Sequence, residues 1–501
     1  MDLLEKNDNQ YLESYFLKTP KEKRQSASIA YLAALDHLHE EHPEIAKAII
    51  QELKDQRNYL KLIASENYCS LTTQLAMGNL LTDKYSEGVV KKRFYAGCDN
   101  VDTVEQLAVE RLKALFGADH AYVQPHSGAD ANLVAFWAIL IERVQNKELD
   151  ILGKKNIVDI SEEEHERIRQ LLVNQKIMGL SLNSGGHLTH GYRMNISSKI
   201  FKSVSYHVDP VTEKIDYKKL LTQVKEEKPA ILIGGYSAYP RLLNFAQLRE
   251  IADSVGAVLM ADIAHFAGLV AGKAVSGEYD PVPYCDIVTS TTHKTLRGPR
   301  GGFVLCKEAY KEAVDKGCPF VLGGPLPHVM AAKAVAFKEA AQPSFKTYAH
   351  QVIKNAQAMA ETFLKQGVKL FSGGTDNHLV VIDVQQSFGL NGRQAENILR
   401  QAHITVNRNT IPFDKNGPWY TSGVRIGSAA MTTLGMKEEQ MRLIAGWIIQ
   451  ILKIAQPQND LKTGEKSKTL VSVEAKILNQ VRVQVKELLE EFPLYPELII
   501  E

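Results

Sequence analysis

From about residue 78 to residue 340, short apolar runs alternate with longer stretches whose apolar positions recur at helical spacing. Ala230-Ile-Leu-Ile-Gly-Gly, Ala257-Val-Leu-Met-Ala-Asp, Asp286-Ile-Val-Thr-Ser and Gly302-Phe-Val-Leu-Cys have the continuity of strands buried on both faces. Between the first two, Phe245–Val255 reads as an amphipathic helix. Strands separated by helices predict an α/β domain with a mostly parallel sheet, assigned to 76–343. Residues 1–75 read as an N-terminal helical arm, with Leu/Ala-rich stretches at Ala30–Leu38 and Ile45–Leu53. After Pro343 the pattern changes to a helix near Tyr348–Gln366, a strand at Leu379–Val384, a helix near Arg393–Gln401 and a final helical region from about Lys437. That predicts a smaller α+β unit over 344–501. Residues 145–178 are highly charged, and Ser161-Glu-Glu-Glu has the form of a capping box ahead of Ile168, Leu171 and Leu172. This stretch reads as a surface insertion carrying its own helix.

Composition narrows the classes of function. The chain has 501 residues, 45% apolar and 23% charged, the balance of a globular enzyme of two or three domains. Its net charge of +1 gives no global field to attract nucleic acid or an anionic membrane, so neither is expected as a partner. No apolar run approaches the ~18 residues of a membrane span. Met1-Asp-Leu-Leu-Glu-Lys6 places acids where a targeting signal has bare positive charge. The five cysteines form no C-x-x-C pair, which fits a reducing compartment, and the expected location is the cytoplasm.

Several motifs are absent. No two glycines lie two apart, which excludes a G-x-G-x-x-G dinucleotide loop. Gly268-Leu-Val-Ala-Gly-Lys273 is one residue short of a P-loop, and Ala274 stands where a magnesium-binding hydroxyl is needed. There is no G-x-S-x-G elbow. His187-Leu-Thr-His190 and His265 lack nearby cysteines or spaced carboxylates, so no metal is expected.

The strongest segment is Thr289-Ser-Thr-Thr-His-Lys294-Thr-Leu-Arg-Gly-Pro-Arg-Gly-Gly302, a hydroxyl-rich turn that follows a buried strand and presents one lysine. Ligands bind at strand carboxyl ends in such sheets, and a lysine there suits a Schiff base with a carbonyl cofactor. By spacing alone an ordinary loop lysine fits equally well. Asp262 breaks the tie, because it ends a strand about thirty residues earlier and a carboxylate there keeps a pyridine nitrogen protonated. Pro125-His-Ser127-Gly128-Ala129, ahead of the apolar stretch Ala131–Leu140, offers a hydroxyl and free N–H groups at a helix start for a phosphate.

With these segments the chain resembles the serine hydroxymethyltransferase family, pyridoxal-phosphate enzymes of the aminotransferase-like fold (fold type I). The likeness runs from about Leu62 to Trp447. It rests on Leu62-Ile-Ala-Ser-Glu-Asn, Lys84-Tyr-Ser-Glu-Gly, Val104-Glu-Gln-Leu-Ala, Gln124-Pro-His-Ser-Gly, Gly185-Gly-His-Leu-Thr-His-Gly, Asp262-Ile-Ala-His-Phe-Ala-Gly-Leu, Thr292-His-Lys-Thr-Leu-Arg-Gly-Pro-Arg-Gly-Gly, Ser372-Gly-Gly-Thr-Asp-Asn-His and Thr421-Ser-Gly-Val-Arg-Ile-Gly.

The resemblance implies a large domain with a mostly parallel seven-stranded sheet and a smaller α+β C-terminal domain. It implies the reversible conversion of serine and tetrahydrofolate into glycine and 5,10-methylenetetrahydrofolate, with pyridoxal 5′-phosphate as cofactor and a homodimer or dimer of dimers as assembly. Lys294 would carry the cofactor, Asp262 would pair with its ring nitrogen and His187 would stack on the ring. Ser237 and His265 would lie near the phenolic oxygen, and Ser127 and Gly128 would hold the phosphate. Gly324 of a second subunit would complete the phosphate cup, with Tyr85 also reaching across. Arg425 and Ser65 would take the amino-acid carboxylate. Glu87 would handle a proton of serine or folate, and Tyr95 would lie beside the substrate. Leu182, Gly186, Leu188 and Asn409 would line the folate site.

Phe94, Ala129, Gly417-Pro-Trp419 and the insertion depart from the family pattern, mostly on the folate side. A folate-independent aldolase or racemase on small amino acids is the alternative activity. Slow racemisation of alanine is a further expectation, with inert binding of alanine as its alternative.

Overall fold

The computed structural model describes residues 11–460 and 464–500. The acidic opening Met1–Lys6 lies outside the described residues. The large sheet has seven strands: β1 (His120–Tyr122), β2 (Lys176–Leu180), β3 (Lys202–Tyr206), β4 (Ile231–Gly235), β5 (Val258–Asp262), β6 (Ile287–Thr291) and β7 (Gly302–Cys306). Their spatial order is β1-β7-β6-β5-β4-β2-β3, and β7 alone runs antiparallel to its neighbours. Every residue of β4 to β7 is buried, which is why these four read as unbroken apolar runs rather than as alternating ones. The register sets Gly235 and Thr289 on either side of Asp262. Asp262 and the turn bearing Lys294 therefore sit at neighbouring parallel strand ends.

The charged stretch 145–178 ends earlier than its composition suggests. The capping box closes as predicted, with Ser161 accepting from the Glu164 N–H and the Glu164 carboxylate accepting from the Ser161 N–H, and the helix runs Glu162–Val173. Lys176 already belongs to β2, where Ile177 and Met178 are fully buried, so the last three residues are sheet core. The N-terminal arm also ends earlier. Helices Ser26–Glu41 and Pro43–Asn58 share a small apolar cluster with Tyr15, Leu498 and Ile500, but Leu60 and Leu62 join the C-terminal core. Leu60–Lys61 pairs in parallel with Ile404–Thr405, and the Gly427 backbone approaches Ala64 so closely that a Cβ would lie 2.4 Å from its Cα.

The C-terminal unit packs helices Pro343–Lys365, Gly392–Gln401 and Glu438–Ile454 on the antiparallel strands Leu379–Asp383, Gly423–Gly427 and Asn407–Asn409. The first helix begins at Pro343 itself, since proline is tolerated in a first turn. The region after Lys437 is not helical throughout. A hairpin, Gln456–Asn459 with Lys466–Ser472, separates two helices, the second being Ala475–Glu491. Its outer strand is held by side chains: Asn391, Gln394 and Asn397 donate to the carbonyls of Lys468, Ser467 and Thr469 at 3.0, 2.8 and 3.0 Å.

Candidate active site

A cavity of about 530 Å³ opens at the carboxyl ends of β4, β5 and β6. Its walls include Ser65, Ser127, Gly128, Leu182, Gly186, His187, Leu188, Ser237, Asp262, His265, Lys294, Asn409 and Arg425. Sequence reasoning thus placed most of its chosen residues around one space.

Asp262 anchors the floor. Its Oδ2 accepts from Asn132 Nδ2 at 2.9 Å and His190 Nε2 at 3.0 Å, and its Oδ1 accepts from the Ala264 N–H at 3.1 Å. The His187 N–H donates to Nδ1 of His190, so the proton of His190 sits on Nε2 and faces the carboxylate. Burial opposes the charge on Asp262, but His190, His187 and Asn132 together hold its carboxyl well below the usual carboxylate range. It stays ionised at neutral pH.

Lys294 stands on the turn after β6, fixed by Asn67 Nδ2 donating to its carbonyl at 2.9 Å. Thr295 ties the same turn to the Asp262 loop by donating to the His265 carbonyl at 2.9 Å and accepting from the Gly268 N–H at 3.0 Å. Burial lowers the Lys294 ammonium to about 8; Asp262 opposes that shift, and Arg425 and Arg300 add to it. A useful fraction is therefore an unprotonated amine near neutral pH. His187 is lowered to about 4, chiefly by burial, so its ring is neutral. His265 is pushed well below its ordinary value, again by burial, with its Nδ1 3.3 Å from Nε2 of His378.

The helix Gly128–Leu140 points its start at the cavity, and Ser127 caps it by accepting from the Asp130 N–H at 3.1 Å. A Cβ on Gly128 would meet Thr291 at 2.7 Å, so only glycine lets the helix start press this closely on β6. Across the cavity, Arg425 lies on strand Gly423–Gly427. Its Nη1 donates to the Ser237 carbonyl at 2.6 Å and its Nε to Asn407 Oδ1 at 3.2 Å, while Nη2 has no partner among the described residues. Burial lowers it to about 10, and it remains a cation with a free edge. Gly185 holds a positive φ of 97° and its carbonyl accepts from the N–H groups of Ser237 and Ala238, which fixes the loop carrying Gly186, His187 and Leu188.

Tyr85, Glu87, Tyr95 and Gly324 are placed elsewhere. Tyr95 donates to Glu87 Oε2 at 3.0 Å, the rings of Tyr85 and Tyr95 meet edge to face at 5.3 Å, and a Cβ on Gly324 would lie 2.8 Å from Tyr85 Cζ. This second group is largely exposed and none of it lines the cavity of its own chain. Glu87 and Tyr95, expected at a proton of serine or folate and beside the substrate, group with Tyr85 outside the chain's own cavity. Arg93 holds their hairpin by donating to the carbonyls of Ser86 and Gly88, to Asp102 and to Glu105, with Gln124 completing the buried cluster. Phe94 is exposed on the same hairpin, and Trp419 lies off the cavity wall between Arg393 and Arg408.

Sequence reasoning missed Asn132, His190 and His378, which work through Asp262 and His265, and Arg300 and Thr410 on the wall. Asn132 lies one turn into a helix already assigned to phosphate, and nothing local marks it. His190 was visible only as half of a metal motif. The potential ligand atoms of His187, His190 and Asp262 do lie within 4.8 Å of one another, but Asp262 and His190 are already hydrogen-bonded together.

The family model for serine hydroxymethyltransferase matches residues 38–153 and 168–448. This chain belongs to the serine hydroxymethyltransferase family. A serine hydroxymethyltransferase of Treponema pallidum is 57% identical over 491 residues, covering 98% of this chain and 85% of the relative. One from Mycolicibacterium smegmatis is 54% identical over 475 residues, 95% of this chain and 96% of the relative. One from Salinispora tropica is 54% identical over 469 residues, 94% and 98% respectively. The serine hydroxymethyltransferase match passes over 154–167, the approach to the capped helix and its first turns.

The donor set fits the family's cofactor, pyridoxal 5′-phosphate. An ionised buried carboxylate, a lysine of lowered pKa, a neutral imidazole and a capped helix start share one cavity.

Proposed function

We propose that this chain interconverts serine and glycine: serine and tetrahydrofolate give glycine, 5,10-methylenetetrahydrofolate and water, and the reverse. The observation that carries the assignment of roles is the meeting of Lys294, Asp262 and the free edge of Arg425 on one cavity. Lys294 would hold the cofactor through its amine, and Asp262 would face the ring nitrogen, its charge keeping that nitrogen protonated. When bound, pyridoxal phosphate supplies a ring that accepts the electron pair released as a bond at the amino acid's Cα breaks. His187 would lie against the ring, Ser237 and His265 near its phenolic oxygen, and Ser127 and Gly128 at the phosphate. Arg425, with Ser65, would take the substrate carboxylate by paired hydrogen bonds and so orient the bonds at Cα. Leu182, Gly186, Leu188 and Asn409 would line the folate side.

We further propose a homodimer in which Tyr85, Glu87, Tyr95 and Gly324 serve the cavity of the second copy. Their separation from the chain's own cavity supports this, as do the exposed apolar side chains Leu80, Phe94 and Phe320 around them. In that arrangement Glu87, already paired to the Tyr95 hydroxyl, would exchange the proton of serine's hydroxyl or of folate. The cytoplasm is the proposed location; no helix among the described residues is long and apolar enough to cross a membrane. Serine cleavage by the purified protein with and without tetrahydrofolate tests the reading. Cleavage that ignores tetrahydrofolate points to the folate-independent aldolase, and no cleavage with cofactor bound refutes both.

A further inference from the structure

Lys333, on the helix Pro327–Ala340, is 1% exposed, has no carboxylate within ion-pair distance among the described residues, and plays no part in the roles above. Its Nζ donates to the carbonyls of Val123, Pro125 and Gly302 at 2.6, 2.9 and 2.9 Å. Three acceptors match the three donors of an ammonium, whereas a neutral amine would leave one of them unserved. Burial lowers the group to about 7, opposed by the charges of Glu105 and Asp130.

The three carbonyls are the ends of the two segments that build the cofactor site. Val123 and Pro125 lead into Ser127 and Gly128. Gly302 closes the loop that carries Lys294, which folds back through the Gly298 N–H to the Thr292 carbonyl and the Thr292 N–H to the Gly301 carbonyl. The segments touch directly as well. The Gly302 N–H donates to the Pro125 carbonyl at 2.9 Å, and a Cβ on Gly302 would fall 2.2 Å from the Ser127 carbonyl oxygen. In a trans peptide the N–H points opposite to the carbonyl, so drawing the Pro125 carbonyl onto Lys333 turns the His126 N–H the other way and sets the chain direction into the cup. A buried cation that three carbonyls surround is costly to displace, which makes this clamp stiff.

We propose that Lys333 is a positioning residue for the cofactor phosphate, clamping the Ser127–Gly128 cup against the Lys294 loop so that the cup recognises phosphate without Lys333 touching it. This rests on the assignment of Ser127 and Gly128 to the phosphate. A merely structural lysine would weaken everything in the site alike, whereas a positioning one weakens recognition of the phosphate in particular.

The test measures the affinity of the apo-form of the full-length protein for pyridoxal 5′-phosphate and for unphosphorylated pyridoxal, by absorbance titration. Lys333→Met removes the cation. Gly301→Ala keeps the cation but breaks the fit of the clamp, because the new Cβ would lie 2.6 Å from Lys333 Cε and 3.0 Å from its Nζ, so the lysine or the loop must move off the other. Ser127→Ala is the control on the cup itself. The expected result is that both clamp variants lose about tenfold or more in affinity for the phosphorylated form while pyridoxal affinity stays within about twofold, the pattern Ser127→Ala also gives. Equal losses for both ligands, or no loss, overturn the proposal when Ser127→Ala shows the selective loss. If Lys333→Met does not fold, Gly301→Ala decides by the same criterion. If Ser127→Ala itself keeps full phosphate discrimination, the cup assignment falls and the proposal falls with it.

Discussion

Replacing Arg425 with lysine separates substrate recognition from cofactor binding. The guanidinium is held in plane by its bonds to the Ser237 carbonyl and Asn407, which leaves Nη2 free beside the cavity. A lysine offers a point charge in place of a planar fork, so one of two charge-assisted hydrogen bonds to the serine carboxylate is lost, about 1.5–3 kcal/mol. That corresponds to a rise in KM for serine of about 10- to 150-fold. A second signature follows from burial. The burial that lowers Arg425 to about 10 would also lower a lysine ammonium at that place below its ordinary value. The variant's KM for serine should therefore worsen from neutral toward alkaline pH as that ammonium loses its proton, while the unaltered enzyme keeps its carboxylate-binding cation. Steady-state kinetics across that range, beside titration of the apo-form with pyridoxal phosphate, reads both effects. An equal loss of serine and cofactor affinity would show that Arg425 braces the Ser237 loop instead of holding substrate, and a pH-independent KM would refute the titration argument.

Lys294→Ala should abolish turnover of serine yet still bind pyridoxal phosphate, measured by absorbance and retained cofactor; substantial turnover removes Lys294 from its role. Mixing Lys294→Ala chains with Tyr85→Ala chains should restore activity, since a mixed dimer has one cavity with every part intact; no recovery once mixed dimers are demonstrated refutes the shared site. Acid should destabilise the fold through its buried neutral histidines. His187 is lowered to about 4, His293 and His378 to about 3, each chiefly by burial. The unfolded chain takes up these protons first, so their contribution is complete above ~6.5 and is lost as pH falls toward the folded values. Tm measured from pH 7 to 4 should drop through that window, and a flat profile contradicts it. Alanine racemisation needs a proton donor on each face, Lys294 on one and Tyr95 of the partner subunit proposed for the other; Tyr95→Phe should therefore form less D-alanine than the unaltered enzyme by chiral chromatography, and equal formation refutes that role.

What the sequence revealed follows from where its signals are physically local. Strands β4 to β7 are buried on both faces and carry unbroken apolar runs, so they were legible, as were the Ser161 capping box and the Lys294 turn. The hairpin after Ile454 was not. Lys466–Ser472 is largely solvent-facing and polar, and it is held as a strand by Gln456–Asn459 and by amides such as Asn391 rather than by an apolar pattern of its own. The same limit applies in the site. Asp262 and Lys294 declare themselves at strand ends, whereas Asn132 and Lys333 act through contacts with residues far along the chain. Glu87 stands beside Tyr85 already in Lys84-Tyr-Ser-Glu-Gly, whereas the distance of that group from the chain's own cavity is three-dimensional and no motif expresses it.

The amides of Asn391, which caps the helix Gly392–Gln401, and of Gln394 and Asn397 within it bind main-chain oxygens of the hairpin, not its side chains. Every residue supplies such an oxygen, so this contact leaves the side chains at 467–469 free for other work, and the Ser467 hydroxyl accepts from the N–H groups of Thr469 and Leu470. Asn391, Gln394 and Asn397 have no such freedom, because each must keep an amide of matching reach. The contact is therefore lopsided, asking only main-chain oxygens of the strand and a particular amide at each of the three partner positions. It also occupies the hairpin's outer edge, closing it to recruitment by a stray strand from another molecule.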